Sequence, residues 1–219
     1  MYIHSFNGTG FEEWERLKFS LYIIYVSITE DLYMALSIHR NDTYVYNFNG
    51  TNFTHFQTIS GLASLDHWRY PSLSQDNQYL AVTGIGDNFV KIYKNNGSSF
   101  SELPNNGTLN FLSGEPRFAS FSSDNTYFVL SFSNGSTHIY TGLKNGNLAI
   151  QSTVTGAFDH ALTPDNHYLA TGSHTFATVY TNTDFPQCQI AYCLECDGSG
   201  CIQCNQMVDY FLNSSSRQC

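Results

Sequence analysis

The chain alternates apolar and polar residues in short runs that Asn, Gly, Asp and Ser clusters separate. Typical runs are RYPSLS at 69–74, YLAVTG at 79–84 and FVKIY at 89–93. Short runs of this kind, bounded by turn residues, predict β-strands, because every second side chain lies on the same face. The longest apolar run, FSLYIIYVSI at 19–28, is far shorter than the roughly 20 residues of a membrane-spanning helix, and it predicts a buried strand.

The pattern repeats along the chain. Four segments align by an Asp, a Tyr soon after it, an apolar run and a second Tyr-containing strand: ITEDLYMALSIHRNDTYVYNF, LSQDNQYLAVTGIGDNFVKIY, FSSDNTYFVLSFSNGSTHIY and LTPDNHYLATGSHTFATVY. Their aspartates are Asp31, Asp76, Asp124 and Asp165, at spacings of 45, 48 and 41 residues, with Asp31 the least regular member. A period of this length indicates stacked or radially arranged supersecondary units.

A second motif accompanies each unit: YIHSFNGTGF at 2–11, YVYNFNGTNF at 44–53, VKIYKNNGSSF at 90–100 and, more weakly, HIYTGLKNGNL at 138–148. Asn-Gly between alternating runs is a strong hairpin signal, because a two-residue turn of this type has positive φ at both central residues. Each unit therefore predicts four short antiparallel strands.

These units resemble the blades of WD40-like β-propellers, in which a Ser-x-Asp-x-x-Tyr turn precedes an apolar strand. The Trp-Asp dipeptide of true WD repeats is absent. Over residues 1–185 the resemblance implies an all-β partial propeller of about four blades, each a four-stranded antiparallel sheet. A solenoid is the alternative, although solenoid periods are usually shorter. Because four blades are few for a closed ring, we expect either a longer product or another chain to complete it.

The charge of the chain limits the classes of partner that we expect. Only 12% of the residues are charged, and the formal net charge is −9 without a basic patch, so we expect no nucleic-acid ligand. The start of the chain, MYIHSFNGTGF, lacks the basic and apolar regions of a secretory signal. If the protein is secreted, we expect a preceding segment, and membrane contact would have to come from segments outside this chain.

All six cysteines lie in a separate segment, 186–219. They are Cys188, Cys193, Cys196, Cys201, Cys204 and Cys219. Four thiolates in two Cys-x-x-Cys pairs suit tetrahedral zinc, but zinc ribbons usually separate the pairs by about 15 to 20 residues, and here only residues 197–200 intervene. Disulfides are therefore favoured, and zinc stays open.

This segment resembles furin-like, or growth-factor-receptor-type, cysteine-rich repeats, particularly those of large ciliate surface proteins. The cysteines of CLECDGSGCIQC match the two pairs of such a repeat, DYFL at 209–212 matches its aromatic segment, and Cys219 would begin the next step. A repeat this short has almost no core, so the resemblance implies that its thiols form disulfides. Six cysteines allow fifteen pairings, and the sequence does not choose among them.

Eight sites fit the N-glycosylation pattern Asn-x-Ser/Thr: Asn7, Asn41, Asn49, Asn52, Asn96, Asn106, Asn134 and Asn213. Asn-Gly is also a common turn dipeptide, which accounts for several of them without any sugar. Nearly all fall where we predict turns, where an oligosaccharide would leave the strands undisturbed. Together with the cysteines, they predict an extracellular or cell-surface glycoprotein that carries N-linked glycans.

Few residues suit catalysis or metal binding. Asp66-His67 and Asp159-His160 occupy equivalent places in two units, but adjacent strand residues face opposite ways, so a structural role is favoured over an acid-base pair. The Asp-Asn pairs at 76–77, 124–125 and 165–166 offer too few oxygens for calcium and more often accept backbone N–H groups. No phosphate-binding loop or hydrolase motif occurs, so we predict no catalytic residue, metal or cofactor.

We therefore predict a non-enzymatic module that makes protein-protein contacts, with other copies or other chains of a surface assembly as partners. Abundant Tyr and Phe, and Trp14 and Trp68, leave a binding face on the propeller possible. One alternative is an extracellular propeller enzyme such as a glycan-processing hydrolase, which would need carboxylates clustered near the axis. The other is a cytosolic scaffold with a zinc knuckle, which would need reduced thiols and unmodified asparagines.

Overall fold

A computed structural model describes residues 22–38, 42–60, 68–84, 89–103, 114–163, 165–173 and 177–181, and the backbone of the strands at 2–6, 11–16, 193–197 and 200–204. The chain forms two compact units, Met1–Tyr180 and Thr181–Cys219. The regular structure in the described ranges is almost entirely β, and none of it is a helix able to cross a membrane.

The strands follow one another in this order: β1 Tyr2–Phe6, β2 Phe11–Arg16, β3 Ile23–Ile28, β4 Tyr33–Ile38, β5 Thr43–Phe48, β6 Phe53–Ile59, β7 Arg69–Leu73, β8 Tyr79–Gly84, β9 Phe89–Asn95, β10 Phe100–Glu102, β11 Pro116–Phe121, β12 Phe128–Phe132, β13 Ser136–Thr141, β14 Ala149–Thr155, β15 Asp159–Leu162, β16 Tyr168–Gly172, β17 Ala177–Thr181, β18 Cys193–Asp197 and β19 Gly200–Cys204.

Consecutive strands pair antiparallel into the sheets that the repeats predict. Blade A is β3–β6, blade B β7–β10 and blade C β11–β14, each with four strands in chain order, and blade D is the three-stranded sheet β15–β17. The β1–β2 hairpin forms a separate two-stranded sheet. First strands of successive blades contact one another, so they lie on the side where the blades converge, which we call the axis. The prediction of four propeller blades is confirmed.

The core lies between neighbouring blades. The second strands β8 and β12 are buried at every residue, because each is covered by a blade on either face. One cluster packs blade B against blade C through Tyr79, Phe121 and Phe128, and others join blades A and B and blades C and D. Burial of apolar surface between sheets at about 25 cal/mol per Å² is the main stabilising contribution.

Two details of the predicted elements are wrong. The run at 19–28 forms strand β3 only from Ile23, and Tyr25, Val26 and Ile28 are exposed, so it is not a buried strand. Its residues 19–21 lie outside the described residues. The motif at 138–148 does not form a tight hairpin, because a short 3-10 turn, Leu143–Asn145, separates β13 from β14.

The Asn-Gly turns also differ from the prediction in their dihedral angles. Gly50, Gly97 and Gly135 have positive φ, but the asparagines before them do not. Each of those asparagines instead accepts hydrogen bonds through its side-chain oxygen; Asn49 Oδ1 accepts the N–H groups of Thr51 and Asn52 at 2.9 and 3.0 Å. The side-chain bond fixes the turn, so only the glycine needs the left-handed conformation.

In the second unit, β18 and β19 pair antiparallel. Their register places Cys193 opposite Cys204 and Cys196 opposite Cys201. Cys188 and Cys219 lie outside the described residues, as do the side chains of the other four cysteines. The predicted disulfides and the furin-like identity of this segment therefore stay predictions.

Candidate functional site

The Asp-Asn turns share one hydrogen-bond pattern. In blade B, Ser74 Oγ donates to Asp76 Oδ1 at 2.7 Å, and Asp76 Oδ1 also accepts the backbone N–H of Gln78 at 3.0 Å. The N–H of Tyr79 donates to Ser74 Oγ at 2.9 Å. The turns of blades C and D repeat these bonds. The aspartates thus accept backbone N–H groups, as the sequence predicts.

Each turn asparagine adopts a left-handed backbone and is buried. The φ values are 58° for Asn77, 57° for Asn125 and 61° for Asn166. Their side chains reach back to the turn of the preceding blade: Thr29 Oγ1 donates to Asn77 Oδ1 (2.6 Å), Asn125 Nδ2 donates to Asp76 Oδ2 (2.6 Å), and the Ser123 N–H donates to Asn166 Oδ1 (3.0 Å). We call the turns at 29–33, 74–79, 122–127, 163 and 165–168 the turn belt, because these bonds join blade to blade.

The turn belt also sets the pKa of its carboxylates. Burial alone would raise the pKa of Asp76, but hydrogen bonds from Asn125, Ser74 and Gln78 outweigh it and lower that pKa. Burial of Asp165 is likewise outweighed by hydrogen bonds from Thr163 and His167, which lower its pKa to about 2. These carboxylates are therefore ionised at neutral pH and accept hydrogen bonds from their own turns, although their side chains are exposed. No group of three or more His, Cys, Asp or Glu side chains among the described residues could hold a metal ion.

The first turn departs from the pattern. It is one residue shorter, and Leu32 takes the left-handed position with φ 58°. Its N–H donates to the Thr29 carbonyl at 3.0 Å, as Asn77 donates to Ser74. Leu32 packs beside the apolar cluster of Met34, Leu36 and Phe53 instead of making a polar side-chain link. The irregular spacing at Asp31 in the sequence reflects this shortened turn.

The Asp159-His160 pair is split, as its strand position predicts. The His160 ring bonds two serines of blade C: its Nδ1 the hydroxyl of Ser131, and its Nε2 the hydroxyl of Ser120 at 2.9 Å. Burial lowers the pKa of His160 to about 4, so the ring is neutral at pH 7. Its two hydrogen bonds join blade D to blade C. The side chain of Asp159 is exposed and accepts the His160 backbone N–H at 2.7 Å. The other predicted pair, Asp66-His67, lies outside the described residues.

Hydroxyl groups join the remaining blades at an equivalent place. Ser37 Oγ donates to the Arg69 carbonyl at 2.6 Å, and Thr83 Oγ1 donates to the Arg117 carbonyl. Ser131 occupies the matching position in blade C. These residues stand near the end of each second strand and so join it to the first strand of the next blade.

Opposite these hydroxyls, on the first strand of each blade, lies a layer of residues that the sequence did not reveal. Tyr25 pairs with Ser37, Tyr70 with Thr83 and Asp159 with Gly172, all at the same register position. Phe118 is the equivalent of Tyr70 in blade C. The residue after Phe118, Ala119, pairs with Leu130, as the residue after Tyr70, Pro71, pairs with Val82. We call Tyr25, Tyr70, Phe118 and Asp159 the axis layer.

Aromatic contacts show that the axis layer converges. The ring centroids of Tyr25 and Tyr70 lie 5.4 Å apart, and those of Tyr70 and Phe118 4.9 Å apart, both edge-to-face. Tyr25 and Phe118 belong to blades A and C, which are not neighbours, yet their centroids are 6.2 Å apart. A contact that skips a blade is possible only where all first strands approach a common axis.

The electrostatics of the axis layer differ from one side to the other. Burial raises the pKa of Tyr25, and the nearby Asp159 carboxylate raises it further. Burial also raises the pKa of Tyr70, while the Arg117 guanidinium opposes that shift. Tyr25 is 38% exposed, so the layer is open to solvent on the side of Tyr25 and Asp159.

Strand β3 exposes further apolar surface. Ile28 is 51% exposed, whereas its counterparts Leu73 and Phe121 in blades B and C are buried. Those two residues pack against the preceding blade. The strands that precede β3 in the described residues are β1 and β2, which form their own sheet. Tyr22, just before β3, is also exposed. Exposed apolar surface next to the axis layer is typical of a binding region.

Four predicted glycosylation sites lie in the described residues: Asn49, Asn52, Asn96 and Asn134. All four are exposed in turns, so attachment of a glycan would meet no strand. Asn7, Asn41, Asn106 and Asn213 lie outside the described residues. Trp68, just before β7, is 51% exposed, and Trp14 lies on β2, whose backbone alone is described.

The axis layer escaped the sequence analysis because its members share no residue type. One signal could have found it. When the repeats are aligned by the Tyr that ends each turn, one column of the first strand lies nine residues earlier in blades B, C and D, and eight earlier in blade A, whose turn is one residue shorter. That column holds Tyr25, Tyr70, Phe118 and Asp159.

Known structures share this fold. No protein-family model matches the sequence, and no curated protein is similar to it, but 645 chains of solved structures match. A protein from Lactobacillus plantarum aligns with a TM-score of 0.57 at 17% identity over 74% of this chain and 51% of its own. A candidate 6-phosphogluconolactonase from Bacteroides uniformis gives 0.58 at 12% identity, over 75% and 51%. The β-propeller domain of Cps50 (Swd1) from Myceliophteria thermophila gives 0.61 at 6% identity, over 78% and 59%.

This chain thus spans between 51% and 59% of the length of these three structures. At such low identities the likeness concerns the fold alone, which is that of a β-propeller. What these proteins bind or catalyse does not carry over by fold.

Proposed function

We propose that this chain is a non-enzymatic, protein-binding propeller module of an extracellular or cell-surface glycoprotein, and that it contacts its partner through the axis layer. The observation that carries the proposal is the convergence of Tyr25, Tyr70 and Phe118, together with the exposure of Tyr25 and Asp159 to solvent. Partly exposed aromatic rings combine a large apolar area with few rotatable bonds, which makes them effective contact residues.

The remaining polar groups support binding rather than catalysis. Both ring nitrogens of His160 are already bonded to serines, and the turn-belt carboxylates accept hydrogen bonds from their own turns. A general base must have a free site within reach of a substrate proton. Among the described residues near the axis layer, Asp159 is the exposed carboxylate, and a single carboxylate is poorly suited to acid-base hydrolysis of a glycosidic bond.

The exposed sequons support the extracellular part of the proposal. Asn49, Asn52, Asn96 and Asn134 lie in turns, where an attached glycan disturbs no strand pairing. The register of β18 and β19, which sets cysteine opposite cysteine twice, is compatible with the disulfides that an extracellular module would carry. The second unit is then a disulfide-rich appendage, as the furin-like resemblance implies.

The contact site can be tested by photocrosslinking. The full chain would carry p-benzoylphenylalanine at Tyr25, with Gln151 on the exposed outer strand β14 as the matched control position. On the cells that produce the protein, we expect one defined protein adduct from position 25 and none from position 151. Equal labelling from both positions, or none from position 25, would overturn the axis layer as the contact site.

The compartment requires a separate measurement. The intact mass of the protein from its native source would be determined with and without glycosidase and with and without reductant. We expect a loss of hexose-containing mass after glycosidase and a gain of about two hydrogens per reduced disulfide. A mass equal to the bare chain plus zinc would instead support the cytosolic scaffold.

An enzyme is the second candidate, and the likeness to the candidate 6-phosphogluconolactonase favours it. That likeness, at 12% identity, points to a lactone as the substrate to try. We expect no hydrolysis of 6-phosphogluconolactone above the uncatalysed rate, measured by proton release. Turnover that Asp159→Asn abolishes would replace the binding module with an enzyme.

A further inference from the structure

We propose that the axis layer recognises a cationic group, the ammonium of a lysine or the guanidinium of an arginine presented by the partner protein, on the side of Tyr25 and Asp159. This inference rests on the proposed function and adds the chemical class of the ligand. It starts from the fact that one repeat position carries an aromatic ring in blades A, B and C and a carboxylate in blade D.

The composition of the layer favours a cation. The face of an aromatic ring carries negative electrostatic potential, so Tyr and Phe rings attract ammonium and guanidinium groups within about 6 Å. A carboxylate beside the rings adds a full negative charge to the same site. Asp159 occupies the same register position in blade D as Tyr25 does in blade A, on first strands that converge on the axis, and its carboxylate raises the pKa of Tyr25. A neutral ligand would gain only from the rings, and an anionic ligand would be repelled by the carboxylate.

The Asp159 carboxylate forms no ion pair within the described residues. Its recorded bond within the described residues is the one that Oδ1 accepts from the next backbone N–H, at 2.7 Å, and no lysine or arginine there pairs with it. Glu102 offers a contrast, because its carboxylate meets Lys91 Nζ at 3.0 Å. An exposed carboxylate without a cationic partner, placed beside aromatic rings, favours a cation from outside the chain.

Arg117 makes the neighbourhood of Tyr70 less favourable for a cation. Its guanidinium is near enough to oppose the rise in the pKa of Tyr70, and it would repel a second cation there. Asp159 instead acts on Tyr25, whose pKa it raises. The formal charge of the whole chain, −9, would also draw a basic partner surface toward it.

The experiment uses small probes with the intact chain. N-acetyl-lysine methylamide and N-acetyl-arginine methylamide are titrated in low salt and followed by NMR shifts of the tyrosine rings, with N-acetyl-norleucine methylamide as the neutral analogue. We expect the cationic probes to bind at least about tenfold more tightly than norleucine, because only they gain from both the rings and the carboxylate. Added sodium chloride should weaken them and leave the neutral probe unchanged.

Variants localise the effect. Asp159→Asn should reduce the affinity of the lysine probe by about fivefold or more, as expected when an opposite charge is removed from a partly desolvated site. The matched control is Glu30→Gln, which removes one exposed negative charge in the first turn, at the other end of β3, and should leave the affinity unchanged. Equal losses in the two variants, or equal binding of lysine and norleucine, would overturn the cationic site.

The outcomes separate this inference from the proposed function. A position-25 adduct together with no preference for cationic probes would leave the contact site standing and reject its cationic ligand. Selective binding of the cationic probes without any adduct would support the ligand class and reject protein contact at this site.

Discussion

The turn belt and the axis layer each consist of one position of the repeat, but they differ in residue type and in exposure. Each takes one position of the repeat and brings its copies together, the belt at the turn after each first strand and the layer on the first strands themselves. The belt keeps nearly the same residues in blades B, C and D, and its asparagines are buried. The layer varies from Tyr to Phe to Asp and is open to solvent at Tyr25.

This difference separates the residues that hold the blades together from those that we propose bind a partner. In the belt, Asp76 accepts three hydrogen bonds, from Ser74, Gln78 and Asn125, so it has little capacity left for a ligand. In the layer, the bond that Asp159 accepts is the one from the His160 N–H to Oδ1, and the side chain is exposed. Positions whose chemistry repeats hold blades together, and positions whose chemistry diverges are free to acquire a ligand.

The largest effect should come from breaking the belt. Asn125→Ala removes the 2.6 Å bond to Asp76 and places a residue with a Cβ at φ 57° without side-chain compensation. We expect a loss of about 3 kcal/mol in the free energy of unfolding, from the charge-assisted bond and the left-handed backbone together. Urea denaturation measures it.

Asn125→Gly is the matched control for that prediction. It keeps the left-handed backbone accessible and removes only the bond, so we expect a smaller loss than for alanine. If both variants unfold at the urea concentration of the wild type, the belt does not stabilise the contact between blades B and C.

Acid should reveal the second link between blades. The pKa of His160 is lowered to about 4 in the fold from about 6.5 in the unfolded chain, so between these values the unfolded state binds more protons. Stability should therefore be full above pH 6.5 and fall toward pH 4, by at most about 3 kcal/mol from this group at about 1.4 kcal/mol per pKa unit.

The belt carboxylates behave differently in acid. Their pKa values are depressed, so their contribution is present above the unfolded pKa near 4 and is lost only as the pH falls below it, toward about 2 for Asp165. Urea midpoints of His160→Gln and wild type, measured from pH 7 to pH 3, should separate the loss of stability due to His160 from the loss due to the belt carboxylates. A variant with the same slope as the wild type between pH 6.5 and pH 4 would contradict the assignment to His160.

Changes in the axis layer should alter binding more than folding. Tyr25→Ala removes a ring that is 38% exposed and contacts Tyr70 and Phe118, so the free energy of unfolding should fall by about 1 to 2 kcal/mol, less than for Asn125→Ala. Binding of the lysine probe should weaken by about tenfold, because one of the rings is lost. The comparison would fail if Tyr25→Ala unfolded the chain as readily as Asn125→Ala does.

The smallest effect should come from completing the belt in blade A. Leu32→Asn relieves a leucine from the left-handed conformation but removes apolar contacts with the cluster of Met34 and Phe53. We expect these effects nearly to cancel, within about 1 kcal/mol. Thermal unfolding of this variant is compared with that of Asn77→Leu, which should be strongly destabilised. The comparison checks that leucine is suited to the left-handed position in the first turn only. Similar losses in both variants would contradict it.

Much of the fold could be predicted because its signals are local. The strand YLAVTG at 79–84 is observed as β8 with the same bounds, and Asp76 bonds the N–H of Gln78 only two residues ahead, as the turn motif implies. The exposure of Ile28 could not be predicted. Its apolar character is what an inter-blade position requires, and burial there depends on which strands precede β3 in space.

The sequence by itself determined the blades, their order and the turns, since strand alternation and the Ser/Thr-x-Asp-Asn-x-Tyr bonds involve residues within five positions of one another. Only the tertiary structure decided that Asn125 reaches Asp76, 49 positions away, that Tyr25 meets Phe118, and that the Asp159 carboxylate raises the pKa of Tyr25. The physical reason is that these contacts depend on how far each blade turns about the axis. That rotation is set by packing between whole sheets, which no single segment encodes.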